Sequence, residues 1–301
     1  KPGRNKVIAE ADCFPSDLYV IEGVKSLHPD LEILLEGRDG SSIPEMLDEQ
    51  VAAVLINHVD YRSGILRDME NLTRQVQEFG GLAVWDLSHS AGIFPVQLNR
   101  CRVDFAVGCT YKYLNGGPGA PAYLYAASRH HTACNQPLSG WFGHARPFDF
   151  ERHFDPDSGI RRFVCGTQPI LSLRALQSGL EIYQDVSLQQ VREKSMALTD
   201  LFIKLLKNEC AAWELEIISP EDASQRGSQV AVSHPEGYAV MQALISRGVI
   251  GDFRAPNLMR FGFAPLFLSY QDIHDAVKQL KQILESEEWN QEAFLQKSKV
   301  T

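Results

Sequence analysis

The sequence predicts an α/β fold built on a mostly parallel sheet with helices on both faces. Three observations carry this. The apolar runs of the first half are short and continuous rather than alternating, as strands covered on both faces require. Amphipathic helical stretches lie between them, and several reactive polar residues fall at or just beyond the ends of the runs. Such a βα succession implies right-handed crossovers and a site at the carboxyl ends of the strands.

Taken in order, a strand at 7–11 leads to a helix at 16–27, and a strand at 31–36 to a helix at 43–50. A strand at 51–56 precedes a helix at 68–79, which the pair Gly80-Gly81 stops. Strands at 82–87 and 105–110 follow. Asp17, Asn57, Asp86 and Lys112 sit at or shortly beyond strand ends. Residues 127–169 lack periodicity and hold Trp141-Phe142-Gly143-His144 and Pro147-Phe148-Asp149-Phe150. A loop of that length in a compact domain is usually functional or interfacial.

From 170 to about 208 the pattern turns helical, with Leu173, Leu176, Leu180 and Tyr183 near one face. The remainder reads as α+β, with strands near 214–218, 229–233 and 258–263 and helices near 238–247 and 270–287. The expected organisation is a large domain over 1–169, a linking helical segment over 170–208 and a smaller C-terminal α+β domain over 209–301.

With 301 residues, 44% of them hydrophobic, the chain can bury a sizeable core. A net charge of −9 without a polybasic run argues against a nucleic-acid binder and favours small-molecule chemistry. Six scattered cysteines without CxxC spacing suggest reduced thiols in a cytoplasmic protein, not a disulfide frame or a metal site. No apolar stretch approaches membrane-spanning length, so no membrane partner is expected. The start, Lys1-Pro2-Gly3-Arg4, lacks an initiator Met and a following signal-peptide core, so a fragment is expected.

The chemistry concentrates between residues 85 and 119. The block opens with Trp85-Asp86-Leu87-Ser88-His89-Ser90-Ala91-Gly92. It ends with Thr110-Tyr111-Lys112-Tyr113-Leu114-Asn115-Gly116-Gly117-Pro118-Gly119. Pyridoxal 5'-phosphate (PLP) needs an amine for its Schiff base and an anion beside its pyridine nitrogen, and Lys112 and Asp86 are the candidates. Each residue alone has a plainer reading. Lys112 could be solvated surface, Asp86 a turn cap, His89 a core residue and Gly116–Gly119 a tight turn. Their joint occurrence in this order points to a PLP site.

This block resembles the fold-type I PLP enzymes of the aminotransferase class V group, and within it the kynureninase family. Distant segments extend the likeness: Phe14-Pro15-Ser16-Asp17-Leu18-Tyr19, Trp141-Phe142-Gly143-His144, Cys165-Gly166-Thr167-Gln168-Pro169 and Pro256-Asn257-Leu258-Met259-Arg260-Phe261-Gly262. The resemblance implies that Lys112 carries the cofactor and shuttles protons, Asp86 pairs with the pyridinium and Phe14 stacks on the ring. It places Pro15, Ser16 and Asp17 beside the cofactor, with Asp17 near the ring 3-hydroxyl, and gives His89 and Tyr111 cofactor contacts. Tyr111 would also act in proton transfer. Trp141 and Thr167 would complete the site across a homodimer interface, and Arg260 would hold the substrate carboxylate. From the residues alone, Phe14 and Trp141 could be core aromatics, Asp17 a helix-start carboxylate, Thr167 a helix cap and Arg260 a structural ion pair.

The implied reaction is hydrolytic cleavage of the Cβ–Cγ bond of L-kynurenine, or of its 3-hydroxy form, to anthranilate and L-alanine, within tryptophan/kynurenine metabolism. Two departures stand out. Asn57 occupies a position where the family usually has Ser or Thr, and the segment that would precede Lys1, which in the family supplies phosphate donors, is missing. Rival readings are a cysteine desulfurase or selenocysteine lyase, and a non-catalytic fragment. The desulfurases and lyases generally carry Gln where His89 stands and His where Tyr111 stands, so both positions favour the kynureninase family.

Overall fold

The computed structural model describes residues 3–296. It divides into two compact units. The first takes in the chain up to His58, Asp68–Ala91 and Val96–Gln184, and the second Val59–Arg67, Gly92–Pro95 and the chain from Asp185 onward.

In the first unit the elements run β1 (Lys6–Glu10), α1 (Pro15–Leu27), β2 (Glu32–Glu36), α2 (Ile43–Met46), β3 (Val51–Asn57), α3 (Met69–Glu78), β4 (Leu82–Asp86), β5 (Phe105–Gly108), β6 (Tyr123–Ala126) and α4 (Ile170–Glu181). They build a six-stranded sheet in the order β2-β1-β3-β4-β5-β6. Strands β1 to β5 pair parallel and β6 closes the edge antiparallel to β5. The expected α/β class is the one found, and all five predicted strands of this half are present. The core gathers Ile8, Val54, Ile56, Ala83, Trp85 and Ala106 of the sheet with Leu72 and Val76 of α3. Trp85 is fully buried, and its indole N–H donates to Thr73 Oγ1 at 2.9 Å.

Three local expectations change. Helix 43–50 stops at Met46, because Leu47 turns extended and Asp48 engages Lys6 at 2.6 Å and the Gln50 N–H at 2.8 Å. The edge strand β6 lay outside the predicted strands; it is only four residues long, and pairing with β5 defines it. The helical stretch 170–208 is two helices, α4 and α5 (Leu188–Glu209), because Ser187 and Gln190 form a capping box that starts a new helix. Residues 127–169 hold short 3-10 turns, in keeping with their lack of periodicity.

Asp104, just ahead of β5, ties this unit together. Its side chain accepts from the Ala83 N–H and Gln77 Nε2, both at 3.0 Å, and from Arg129 Nη2 and His130 Nε2, both at 2.7 Å. Burial pushes its carboxyl up, but these four bonds outweigh burial and hold it below the usual carboxylate range. Asp104 therefore contributes stability that is complete above the unfolded-state value and is lost as pH falls toward its depressed folded value. Asp104→Ala should cost about 3 kcal/mol in urea melts at neutral pH. The gap to the unsubstituted chain should narrow below about pH 4; a gap that stays constant down to acid pH contradicts the assignment.

The second unit contains α5, β7 (Glu216–Ile217), β8 (Gln229–Ser233), α6 (Gly237–Ser246), β9 (Asp252–Arg254), β10 (Leu258–Gly262), α7 (Tyr270–Ser286) and α8 (Glu292–Leu295). Its sheet is antiparallel in the order β7-β8-β10-β9, and Phe202, Met241, Leu244, Met259, Phe261 and Leu280 fill its core. Strand β9 was not among the predicted strands. The segment Val59–Arg67 is held here by its backbone. Gln229 Nε2 donates to Asp60 O at 2.9 Å and to Tyr61 O at 3.0 Å, and Ser219 Oγ donates to Ser63 O at 2.5 Å. No helix among the described residues is long and apolar enough to cross a membrane.

Candidate active site

In the first unit β1 ends at Glu10, β3 at Asn57, β4 at Asp86 and β5 at Gly108, so four parallel strands deliver their carboxyl ends to one side of the sheet. That end of a parallel sheet is where ligands bind in this class of fold. Asn57 lies in register with Asp86. Its backbone N–H and its Nδ2 both donate to Glu10 Oε2, at 2.8 and 3.0 Å, and all these groups are buried. The Asn57 amide is thus oriented with its nitrogen toward Glu10.

Asp86 Oδ1 accepts the Ser88 N–H at 2.7 Å, so the turn-cap reading holds for that oxygen. Oδ2 has no hydrogen bond among the described residues. The turn continues to His89, whose Nε2 lies 2.9 Å from Lys112 Nζ. An ammonium has only donors, so a charged Lys112 donates and Nε2 accepts. Lys112 Nζ also lies 5.9 Å from the Phe14 ring centroid and 5.7 Å from that of Tyr111.

The Lys112 turn is braced from several directions. Asn115 N–H donates to Lys112 O at 3.0 Å, Thr110 Oγ1 to Pro121 O at 2.5 Å, and Tyr183 Oη to Tyr113 O at 2.5 Å. Gly117 and Gly119 take positive φ, the left-handed conformation that glycine adopts without strain.

Helix α1 begins beside this turn, with Phe14 at its N-cap and Pro15 at its first position. No side chain caps it, and Pro15 and Ser16 are exposed. Asp17, in its first turn, is pushed up to about 6 by burial, then by the charges of Asp86 and Glu10, while Lys112 pulls the other way. Asp17 Oδ2 is buried without a hydrogen-bond partner. Burial, followed by Asp17 and Glu10, also pushes the Cys13 thiol up to about 12, so it stays protonated and is no nucleophile. Burial, then Cys109, pushes the Tyr111 phenol up, so it stays protonated.

In the second unit Arg260 lies on β10 opposite Asp252 on β9. Arg260 Nε donates to Asp252 Oδ1 at 2.9 Å, Nη2 donates to Asp252 Oδ2, and Nη1 donates to Tyr61 O at 2.5 Å. The ion pair that the sequence left open for this residue is present.

Comparison with known proteins places this geometry. Residues 191–280 match the family model for the kynureninase C-terminal domain. Across the whole chain, a protein named kynureninase from Burkholderia mallei (strain SAVP1) is 47% identical over 301 residues, which is 100% of this chain and 72% of the relative. The chain belongs to the kynureninase family. A kynureninase from Pseudomonas fluorescens is 45% identical over 300 residues, again 100% of this chain and 72% of the relative.

Among solved structures, the apo cysteine desulfurase from Thermococcus onnurineus NA1 has a TM-score of 0.78 at 18% identity, covering 94% of this chain and 73% of that one. The cystine C-S lyase C-DES, in complex with cysteine persulfide, has a TM-score of 0.79 at 15% identity, covering 92% and 75%. At such low identity these neighbours establish the fold, which is that of the fold-type I class V enzymes.

Of the residues that the resemblance to the kynureninase family singled out, the first unit brings together Phe14, Asp17, Asn57, Asp86, His89, Tyr111 and Lys112. Trp141 instead packs against Phe142, Phe148 and Phe150, with centroids 4.1, 5.8 and 6.3 Å away. Thr167 is exposed and does not cap α4, whose N-cap is Pro169 without a side-chain bond.

Three residues of interest escaped the sequence reading: Glu10, Tyr123 and Asp252. Tyr123 is paired with Gly108, where an added Cβ would lie 2.4 Å from the tyrosine hydroxyl. Its buried Oη has no partner, and burial, then Asp86 and Cys109, pushes the phenol up. A charged residue closing an apolar strand was the only signal for Glu10; the other two depend on strand register.

Proposed function

We propose that this chain is a PLP-dependent hydrolase that cleaves the Cβ–Cγ bond of L-kynurenine to anthranilate and L-alanine. The observation that carries this reading is the Lys112 amine held 2.9 Å from His89, close to the acids Asp17 and Asp86, in a chain 47% identical to a kynureninase. The residues fit PLP: an amine, a carboxylate with one oxygen uncommitted, a half-exposed aromatic face at Phe14, and the buried Asp17 Oδ2 still lacking a donor. When bound, PLP supplies a protonated pyridine ring that accepts the electron pair left on the substrate.

Lys112 is the amine that attaches the cofactor and then carries the substrate α-proton. Asp86 accepts the ring N–H and keeps that nitrogen charged. Asp17, protonated below pH about 6 in the free chain, can meet a ring oxygen as donor or acceptor. His89 holds the Lys112 nitrogen in place, Phe14 shields one face from water, and Tyr111 delivers a proton. Pro15, Ser16 and Asn57 complete the wall of the cofactor site. Arg260 takes the substrate carboxylate, for which a guanidinium fork is suited.

The working form we propose is a homodimer in which Trp141 and Thr167 serve the partner's site. In support, the aromatic group around Trp141 is open to solvent, with Phe148 69% and Phe150 76% exposed, as an interface would require. The six free cysteines fit a cytoplasmic location.

The deciding experiment incubates the PLP-loaded protein with L-kynurenine and L-cysteine in parallel. Anthranilate fluorescence is expected from the first, without sulfide from the second. Sulfide release without anthranilate would replace this reading with a desulfurase.

A further inference from the structure

We infer that Asp252 is a positioning residue that sets Arg260 for the substrate carboxylate; this rests on the assignment of Arg260 in the proposed function. A guanidinium has five N–H donors in a rigid plane. In Arg260 one is on Nε, donated to Asp252 Oδ1, and one of the Nη2 pair goes to Asp252 Oδ2. One of the Nη1 pair goes to Tyr61 O. Among the described residues three of the five are used, and the two that remain lie one on each terminal nitrogen. That is the number and kind of donor that the two oxygens of a carboxylate accept.

Register holds this arrangement in place. Asp252 and Arg260 are directly opposite on antiparallel strands, and Tyr61 O is itself fixed by Gln229 Nε2 at 3.0 Å. The Arg260 side chain is only 11% exposed, so its stem cannot swing freely in search of another partner. Charge is balanced to suit an anion as well. Asp252 also meets Arg254 Nη2 at 3.3 Å, so two arginines share one aspartate and the cluster keeps a net positive charge. A carboxylate arriving at Arg260 neutralises it.

The ion pair and the substrate role of Arg260 are therefore compatible: Asp252 takes the Nε–Nη2 edge, Tyr61 O takes one Nη1 hydrogen, and one N–H on each terminal nitrogen has no partner among the described residues. Loss of Asp252 removes two of the three bonds that fix the guanidinium plane, and the cost falls on recognition of the carboxylate and not on the bond-breaking step.

The test compares Asp252→Asn, Asp252→Glu and Arg260→Ala in the PLP-loaded enzyme. It measures kcat and KM for L-kynurenine, the binding constant for the decarboxylated amine of the same substrate, and the Tm of each variant. For Asp252→Asn, KM should rise on the order of tenfold to a hundredfold with kcat within about threefold. Binding of the decarboxylated amine should not change, and Asp252→Glu should fall between Asn and the natural residue.

A merely structural ion pair would lower Tm and weaken both ligands alike, and that result overturns the inference. An unchanged KM in Asp252→Asn overturns it too, and so does one in Asp252→Glu should the Asn variant not fold. If Arg260→Ala keeps the full preference for the carboxylated ligand, the assignment of Arg260 itself is wrong, an outcome distinct from failure at Asp252 alone.

Discussion

Lys112→Ala is expected to abolish anthranilate formation, lowering kcat by at least about 10⁴-fold, while leaving the fold intact. The magnitude follows from two losses at once: the nitrogen that attaches the cofactor and the group that carries the α-proton. The fold should survive because Lys112 lies in a turn whose bracing uses backbone carbonyls and the hydroxyls of Thr110 and Tyr183, not the lysine side chain. The measurement is steady-state anthranilate fluorescence alongside a thermal melt, with borohydride reduction followed by gel filtration to test covalent PLP retention. Near-normal turnover in a folded variant would falsify the assignment of Lys112.

Asp86→Asn should lower turnover on the order of 10³-fold, the scale seen when a preorganised electrostatic partner is removed. The change is nearly isosteric. Asn can still accept the Ser88 N–H through its oxygen, so the turn at 86–88 stays formed. What is lost is the charge that keeps the ring nitrogen protonated, and with it the electron sink. PLP should also be retained less well on dilution. Equal turnover and equal retention in the Asn variant would show that another group pairs with the ring.

The continuous apolar runs were readable because a strand covered on both faces leaves a signal in every residue, and β1 to β5 all carry it. Strands β6 and β9 are defined by their neighbours: Tyr123–Ala126 and Asp252–Arg254 are short antiparallel edge strands, and pairing with β5 and β10 makes them strands. The early end of α2 has the same origin, since Asp48 is drawn away by Lys6, forty-two residues distant in sequence.

In the site, Lys112, Asp86 and His89 were legible because chemistry and order coincide within a short block. The Glu10–Asn57 pair, the Tyr123 hydroxyl over Gly108 and the Asp252 clasp on Arg260 were not, because each joins residues from different strands and exists only once the register is set.

The division of the chain also bears on how it can be taken apart. The polypeptide passes between the two units at 58–59, 67–68, 91–92, 95–96 and 184–185. A gene cut at 184 would strip the carbonyls of Asp60, Tyr61 and Ser63 of the Gln229 and Ser219 side chains that bind them. Neither unit is a single length of chain: no single cut releases one whole, and exchanging the second between relatives has to carry the segments 59–67 and 92–95 along with the chain from 185 onward.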